Sequence, residues 1–264
     1  MPATPLLLLH GFPFDSTLWA PVRALLPPGL PVYAPDLPGF GTEPPLPAPT
    51  TEALADWLAA WLAARGVGPV AIAGHSMGGY VALAFAERHR AQVRGLGLVH
   101  ATAAPDTPEK RASRAEQLAH IEAHGTGRLV DKLITPLVAA AHAPRLHPVL
   151  AAYVATAAAL PAATLAGSIG AMRARPDRTA VLQQADFPVL VVAGAHDPVL
   201  PLAAATAQYH LVPAGPESRF VVLPDAGHLG MREAPAAVAA AVTALARASH
   251  IDVDSARFAG RRVP

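Results

Sequence analysis

Apolar runs and polar breaks divide this chain into short strands and longer helices. Leu6 to Leu9 is a short apolar run ending at His10-Gly11, which predicts a buried strand followed by a loop. Val32-Tyr33-Ala34 is a second strand, ended by Pro35-Asp36-Leu37-Pro38-Gly39. Thr51 can cap a helix whose apolar positions are Leu54, Leu58, Trp61 and Leu62, with Gly66 closing it. Pro69 to Ala73 reads as a third strand, and the chain then turns through Gly74 to Gly79 into a helix from about Tyr80 to Arg88. Val93 to Val99, Val189 to Ala193 and Phe220 to Leu223 are the fourth, fifth and sixth strands. Helices over about Leu202 to Tyr209 and Pro235 to Ala246 complete the pattern. Strands separated by helices predict an α/β fold, a mostly parallel sheet with helices on both faces.

The alternation fails between about Ala101 and Asp186, where no strand pattern occurs. Helical patches lie near Glu109 to His124, Arg128 to His142 and Leu150 to Ala166. The segment reads as a helical insertion, so residues 1–100 and 187–248 form a core, 101–186 the insertion and 249–264 an irregular C-terminal tail. No charged residue occurs between His147 and Arg173, a stretch long enough to cross a bilayer. Its alanine and threonine content, with Pro161 and Gly167 inside it, fits helices packed over a core better than a membrane span.

One stretch of the pattern carries chemistry. Gly74-His75-Ser76-Met77-Gly78-Gly79 lies between an apolar strand and a helical run, the setting of an elbow that presents a nucleophilic serine. Such a turn needs neighbours with almost no side chain. It lifts the hydroxyl above the sheet beside a helix N-terminus, whose partial positive charge favours an oxyanion. A serine hydroxyl needs a base. On an elbow of this kind the acid and then the histidine follow later in the chain. Of the twelve histidines, His228 in Asp225-Ala226-Gly227-His228 sits directly after the last strand. Asp197, in Gly194-Ala195-His196-Asp197-Pro198, follows the fifth strand and can hold His228 in the required tautomer. Asp225 is too near His228 in sequence to reach the ring well, and Asp186 precedes its strand, at the wrong end of the sheet. The oxyanion hole needs two backbone N–H groups: Met77 follows the nucleophile, and Phe12 in His10-Gly11-Phe12-Pro13 follows the first strand.

Composition narrows the alternatives. The 264 residues suit one catalytic domain with an insertion, and 52% hydrophobic against 15% charged residues mark a core-rich globular chain. Net charge is +1 without a block of like charge, which argues against a nucleic-acid or anionic-lipid partner. With no cysteine there is no disulfide, thiolate metal site or cysteine nucleophile. The first residues lack a basic n-region, and Leu6 to Leu9 is too short for a signal-peptide core, so a cytoplasmic location is expected. No Gly-x-x-x-x-Gly-Lys phosphate loop occurs, and no metal, nucleotide or redox cofactor is implied. Oligomeric state is left open.

Taken together, these stretches resemble the α/β-hydrolase family. The match runs from about residue 5 to 248 through His10-Gly11-Phe12-Pro13 with Trp19 behind it, Asp36-Leu37-Pro38-Gly39-Phe40-Gly41, Gly74 to Gly79, Gly194 to Pro198 and Gly227-His228. The resemblance implies Ser76 as nucleophile, Asp197 as acid, His228 as base, Phe12 and Met77 as oxyanion donors, and a helical cap in the insertion. The chain departs from the family in two places. It enters almost at once on the strand before the oxyanion loop, and its fourth strand ends at Val99-His100, where many relatives carry an acid. A serine at the nucleophile position disfavours haloalkane dehalogenase and epoxide hydrolase activity. Cofactor-free haloperoxidases often carry a tryptophan near the oxyanion loop or an aromatic residue after the nucleophile; here those places hold Phe12 and Met77, which disfavours that activity. The reading that follows is a serine hydrolase of small or medium carboxylic esters. Lactone, enol-lactone or C–C bond hydrolysis is the enzymatic alternative, and a small-molecule receptor on the same scaffold is the alternative of another class. Leu129, Leu133, Leu137 and Val138, with Tyr153 as the insertion's one aromatic residue, predict a small to medium apolar pocket and short acyl chains.

Overall fold

The computed structural model describes residues 4–215 and 217–249. β1 (Leu6–Leu9) is followed by a 3-10 turn over Ser16–Trp19, the one-turn α1 (Ala20–Arg23), β2 (Val32–Tyr33) and α2 (Thr51–Ala63). Then come β3 (Val70–His75), α3 (Met77–Arg88) and β4 (Val93–Val99). After a long excursion, β5 (Val189–Gly194), α9 (Leu202–Tyr209), β6 (Arg219–Leu223), α10 (Gly230–Glu233) and α11 (Pro235–Ala248) complete the described chain. The six strands form one sheet in the order β2-β1-β3-β4-β5-β6, and every pairing is parallel. Interior strands of such a sheet are covered on both faces, so β1 and β5 are fully buried and read as unbroken apolar runs instead of alternating ones. α3 packs on β1, β3 and β4 together with α2, and α11 packs on β3, β4 and β5 together with α1.

Because all strands run the same way, their C-terminal ends lie along one edge of the sheet. The loops after β1, β3, β4, β5 and β6 therefore meet there, and a ligand crevice at strand C-termini is the usual consequence. The Ser76 turn, the Asp197 loop and the His228 loop all occupy this edge.

The excursion between β4 and β5 contains helices only: α4 (Pro108–His124), α5 (Gly127–Ile134), α6 (Ala143–Ala158), α7 (Ala162–Ala174) and α8 (Thr179–Gln183). α4 packs on α7 and α5 on α6. Buried arginines pin both ends of this insertion. Arg114 and Arg175 both donate to Asp106, and Arg175 also donates to the Met172 and Ala104 carbonyls. Burial would raise the Asp106 carboxyl, but the two guanidinium groups outweigh it and hold it below its ordinary range. At the exit, Arg178 donates to Glu87, Thr51 and Glu52 of the core helices.

Several details differ from the pattern-based expectation. The side chain that caps α2 is Thr50, accepting from Ala53 N at 3.0 Å, and Thr51 is the first helical residue. α3 begins at Met77, ahead of Tyr80, because Ser76 is its N-cap. The expected helix over Arg128 to His142 stops at Ile134; Pro136 takes a 3-10 turn over Thr135–Leu137, and Val138 is extended. The patch from Leu150 to Ala166 is two helices, α6 and α7, bent by 102° at a break holding Pro161. Among the described residues no single helix is long and apolar enough to cross a membrane. Ser249, assigned to the tail, is the C-cap of α11 and its hydroxyl donates to Leu245 O at 2.7 Å. Residues 250–264 of that tail lie outside the described residues.

Gly194, the last residue of β5, abuts the histidine loop: a Cβ there would lie 2.2 Å from Gly227 O and 2.4 Å from Ala226 O. Backbone cannot yield as a side-chain tip can, so Gly194→Ala is an overpacking change of about 1–3 kcal/mol. At roughly 2–4 °C per kcal/mol for a chain of this size, Tm should fall by about 2–12 °C. Gly68→Ala is the control, since a Cβ there meets nothing within 4 Å. Equal Tm values for the two variants would contradict the close approach.

Candidate functional site at the strand C-terminal edge

The turn between β3 and α3 is built by what its neighbours lack. A Cβ on Gly74 would lie 2.2 Å from Gly78 O, and one on Gly78 would lie 2.5 Å from His10 O and 2.6 Å from Leu9 O. The first turn of α3 therefore sits against both the end of its own strand and the end of β1. Ser76 occupies the apex with φ 49° and ψ −114°, a conformation a side chain with Cβ adopts at a cost of about 1–3 kcal/mol. Its N–H donates to Val99 O at 3.0 Å and its carbonyl accepts from Gly79 N and Tyr80 N. An N-cap serine ordinarily spends its hydroxyl on the helix. The Ser76 hydroxyl makes no such bond and is partly exposed.

Asp197 and His228 are brought together. His228 Nδ1–H donates to Asp197 Oδ1 and Oδ2 at 2.9 and 2.8 Å. Asp197 Oδ1 also accepts from Val199 N at 2.8 Å and Leu200 N at 2.9 Å. With Nδ1 committed as donor, the lone pair of neutral His228 is on Nε2. Burial would raise the Asp197 carboxyl; attraction to His228 and hydrogen bonds from His100 and His228 outweigh burial and hold it far below the ordinary carboxylate range. Asp225 is exposed, and Asp186 pairs with Arg90 at the sheet's opposite edge. No hydrogen bond joins Ser76 Oγ to His228 among the described residues. The link between the two is His75, whose Nε2–H donates to the His228 carbonyl at 2.9 Å, with ring centroids 4.9 Å apart.

The first loop is held by His10. Its Nε2 accepts from Leu37 N at 2.8 Å, so its Nδ1–H donates to Gly11 O at 3.0 Å. Asp36 Oδ1 in turn accepts from Ser16 N at 2.8 Å. Gly11 lets this loop approach β3, since a Cβ there would lie 2.4 Å from His75 Nδ1. The loop carrying Phe12 and the turn carrying Met77 thus close on each other. Neither the Phe12 N–H nor the Met77 N–H has a partner among the described residues.

Glu233 is a neighbour of His228 that the sequence pattern did not mark. Its buried carboxylate accepts from Gly227 N at 2.9 Å and Leu229 N at 3.1 Å, on either side of His228. It also accepts from Ala139 N at 2.8 Å, and His142 Nδ1 lies 3.2 Å away. His228 N–H donates to Leu137 O at 2.6 Å. The histidine loop is therefore clamped between α10 and the insertion. Of the four lining candidates, Leu137 and Val138 lie at this loop, where a Gly227 Cβ would meet their backbone. Leu129 is buried in the insertion and Leu133 packs at the edge of the core. Tyr153 of α6 meets Phe14 of the first loop edge-on at 5.0 Å, which ties the insertion to that side of the crevice as well.

His100, Asp197 and His228 offer ligand atoms within 4.8 Å of one another. Both imidazole Nδ1 atoms face the carboxylate at hydrogen-bond distance, 2.8–3.0 Å, so the set is satisfied as two N–H donors on one anion.

Two stability measurements follow from these contacts. Glu233→Gln puts an amide N–H against backbone N–H donors; at about 1.5–3 kcal/mol for a bond to a charged group, Tm should drop by several degrees. An unchanged Tm would show that the clamp contributes nothing. The second concerns pH. Burial first of all lowers the pKa of His10, His75 and His100 below the ordinary 6.5. The unfolded chain then binds more protons than the folded one, so stability is full above about pH 6.5 and declines as pH falls below it. Asp197, with its folded pKa depressed, adds a second loss below about pH 4. Tm should fall measurably between pH 7.5 and 5, and a flat profile over that range would contradict the neutral buried histidines.

The family model described as the alpha/beta hydrolase family matches residues 6–241. The chain is 32% identical over 257 residues, 92% of its length and 91% of the relative's, to a 2-succinyl-6-hydroxy-2,4-cyclohexadiene-1-carboxylate synthase of Enterobacter sp. (strain 638). It is 31% identical, over 84% of its own length and 90% of the relative's, to a pimeloyl-[acyl-carrier protein] methyl ester esterase of Aromatoleum aromaticum. Among solved structures, a malate-bound thermophilic esterase from Thermogutta terrifontis superposes with a TM-score of 0.86 at 35% identity, covering 94% of this chain and 90% of that one. The parallel sheet, the serine turn and these similarities agree: the chain belongs to the alpha/beta hydrolase family.

Proposed function

We propose that this hydrolase cleaves small or medium carboxylic esters through an acyl-enzyme on Ser76. The observation that carries the reading is the Asp197–His228 pair, placed at the same sheet edge as a serine whose hydroxyl is withheld from helix capping. Two of the similar chains are named as esterases. In this reading Ser76 Oγ attacks the ester carbonyl carbon while His228 Nε2 takes the hydroxyl proton. The carbonyl oxygen becomes an oxyanion, held by the Phe12 and Met77 N–H groups and favoured by the start of α3. The intermediate collapses, the C–O bond to the alcohol breaks, and His228 returns its proton to the leaving alkoxide. Water then attacks the acyl carbon with His228 as base, releasing the carboxylic acid and restoring Ser76. Asp197 holds the His228 tautomer and balances the imidazolium charge. Lactones present the same carbonyl and would open by the same steps.

The pocket is proposed to be short and apolar, since the insertion meets the catalytic edge with Leu137, Val138 and Tyr153. The working partner is a small-molecule ester, in the cytoplasm, with no nucleic-acid partner.

A turnover assay with p-nitrophenyl acetate, butyrate and a long-chain ester tests this directly. Wild type should turn over many times, favour the short chains, and lose at least about 10³-fold in kcat on Ser76→Ala. A single acylation event without turnover would instead support a receptor role. Faster cleavage of long chains would overturn the pocket assignment.

A further inference from the structure

The acid of this site has a second histidine. His100 follows β4 and adopts φ 51°, a left-handed conformation that turns its side chain back over the strand ends. Its backbone N–H donates to Val192 O of β5 at 2.8 Å. The side chain is fully buried, and Nδ1 lies 3.0 Å from Asp197 Oδ2, the same oxygen that receives His228 Nδ1–H at 2.8 Å. A carboxylate only accepts, so both Nδ1 atoms carry protons when they face it. Nε2 of His100 has no hydrogen-bond partner and is packed at α10, where a Cβ on Gly230 would lie 2.4 Å from it. A second proton on Nε2 would be buried and unpaired, so His100 is kept as a neutral Nδ1–H donor.

Resting on the assignment of Asp197 and His228 as the catalytic pair, we propose that His100 is a positioning residue for that pair. Its Nδ1–H fixes the Asp197 carboxylate from the side opposite Val199 and Leu200 and takes up part of the charge that would otherwise be offered to His228. The Asp197 Oδ2 acceptor is thereby divided between two imidazoles. The share of that oxygen left to His228 sets how strongly the carboxylate favours the imidazolium over the neutral form that accepts the Ser76 proton.

The groups facing His228 come from every neighbouring element. His75 at the end of β3 donates to its carbonyl, with ring centroids 4.9 Å apart, and His100 after β4 lies at 5.6 Å. Asp197 after β5 holds its Nδ1, and Glu233 of α10 binds the N–H groups on both sides of it. Lys110 of α4 reaches the acid loop, donating to Val199 O at 3.2 Å. Of these, His100 alone shares the Asp197 oxygen with His228.

The test compares His100→Leu, which fills the space without a donor, with His100→Asn, whose amide N–H can take the place of Nδ1–H. The readout is the acid limb of kcat/KM against pH for p-nitrophenyl butyrate. The Leu variant should move that limb up by about half to one pH unit, and the Asn variant should stay near wild type. A Leu variant that is folded and active with an unmoved limb overturns the proposal, as does an equal shift in both variants. Should the Leu variant fail to fold, ¹⁵N-histidine NMR of the wild type decides. His100 is expected as the Nδ1–H tautomer, without titration between pH 5 and 8; an Nε2–H tautomer or protonation in that range overturns the proposal. The NMR result does not depend on turnover. A protein inactive towards every ester would therefore count against the proposed function, while the NMR result still decides for or against His100.

Discussion

Asp197 is a carboxylate whose side chain is withdrawn from solvent, and an anion out of water must be met by donors or it will not stay ionised. Here four N–H groups meet it: two from its own loop, at Val199 and Leu200, and two from imidazoles, His100 and His228. Each imidazole arrives from a different strand end, His100 from β4 and His228 from the loop after β6. Because the sheet is parallel, those ends share an edge, and the β4–β5 register is tied by the His100 N–H on Val192 O. Shifting β4 or β6 against β5 would leave the carboxylate short of a donor. The position of this sheet edge and the satisfaction of this one buried charge are thus a single constraint.

The surroundings of that charge are arranged to keep other protons away from it. His75 and His100 are buried and disposed to be neutral. The histidine loop is in turn clamped by Glu233 and by the Leu137 to Ala139 segment of the insertion. An insertion without bonds to the histidine loop could move without disturbing His228. In this chain Ala139 of the insertion and the residues on either side of His228 are hydrogen-bonded to the common Glu233 carboxylate, so reshaping the insertion near Ala139 also repositions His228.

Much of this was readable in the residues. β1, β4 and α9 have the bounds their apolar patterns indicate; β2, β5 and β6 differ by one residue at an end, and β3 by one at its start and two at its end. Ser76, Asp197 and His228 stood out because each follows a strand, which is a local feature. The insertion was harder. Its helices are alanine-rich with weak apolar stripes, so Pro136 and Pro161 decide where they break, and a window centred on either side misses the break. His75, His100 and Glu233 escaped notice for another reason. The partners of His75 and His100 lie 153 and 97 residues away in the chain, and Glu233 joins Gly227 and Leu229, six and four residues off, to Ala139, 94 residues off; nothing near these residues in sequence reports the distant partner. His100 was visible only as a departure, a histidine where an acid was expected; the fold converts it into a donor to the acid on the next strand.

The claim at the centre of this account is that Ser76 is the residue that becomes acylated. Covalent trapping with a small alkyl phosphonate fluoride, read by intact mass and peptide mapping, addresses it without reference to any natural substrate. The account predicts one adduct per chain, located on Ser76, forming slowly when Asp197 is replaced by Asn and absent in Ser76→Ala. An adduct on another residue, or complete trapping of a Ser76→Ala protein, would contradict it.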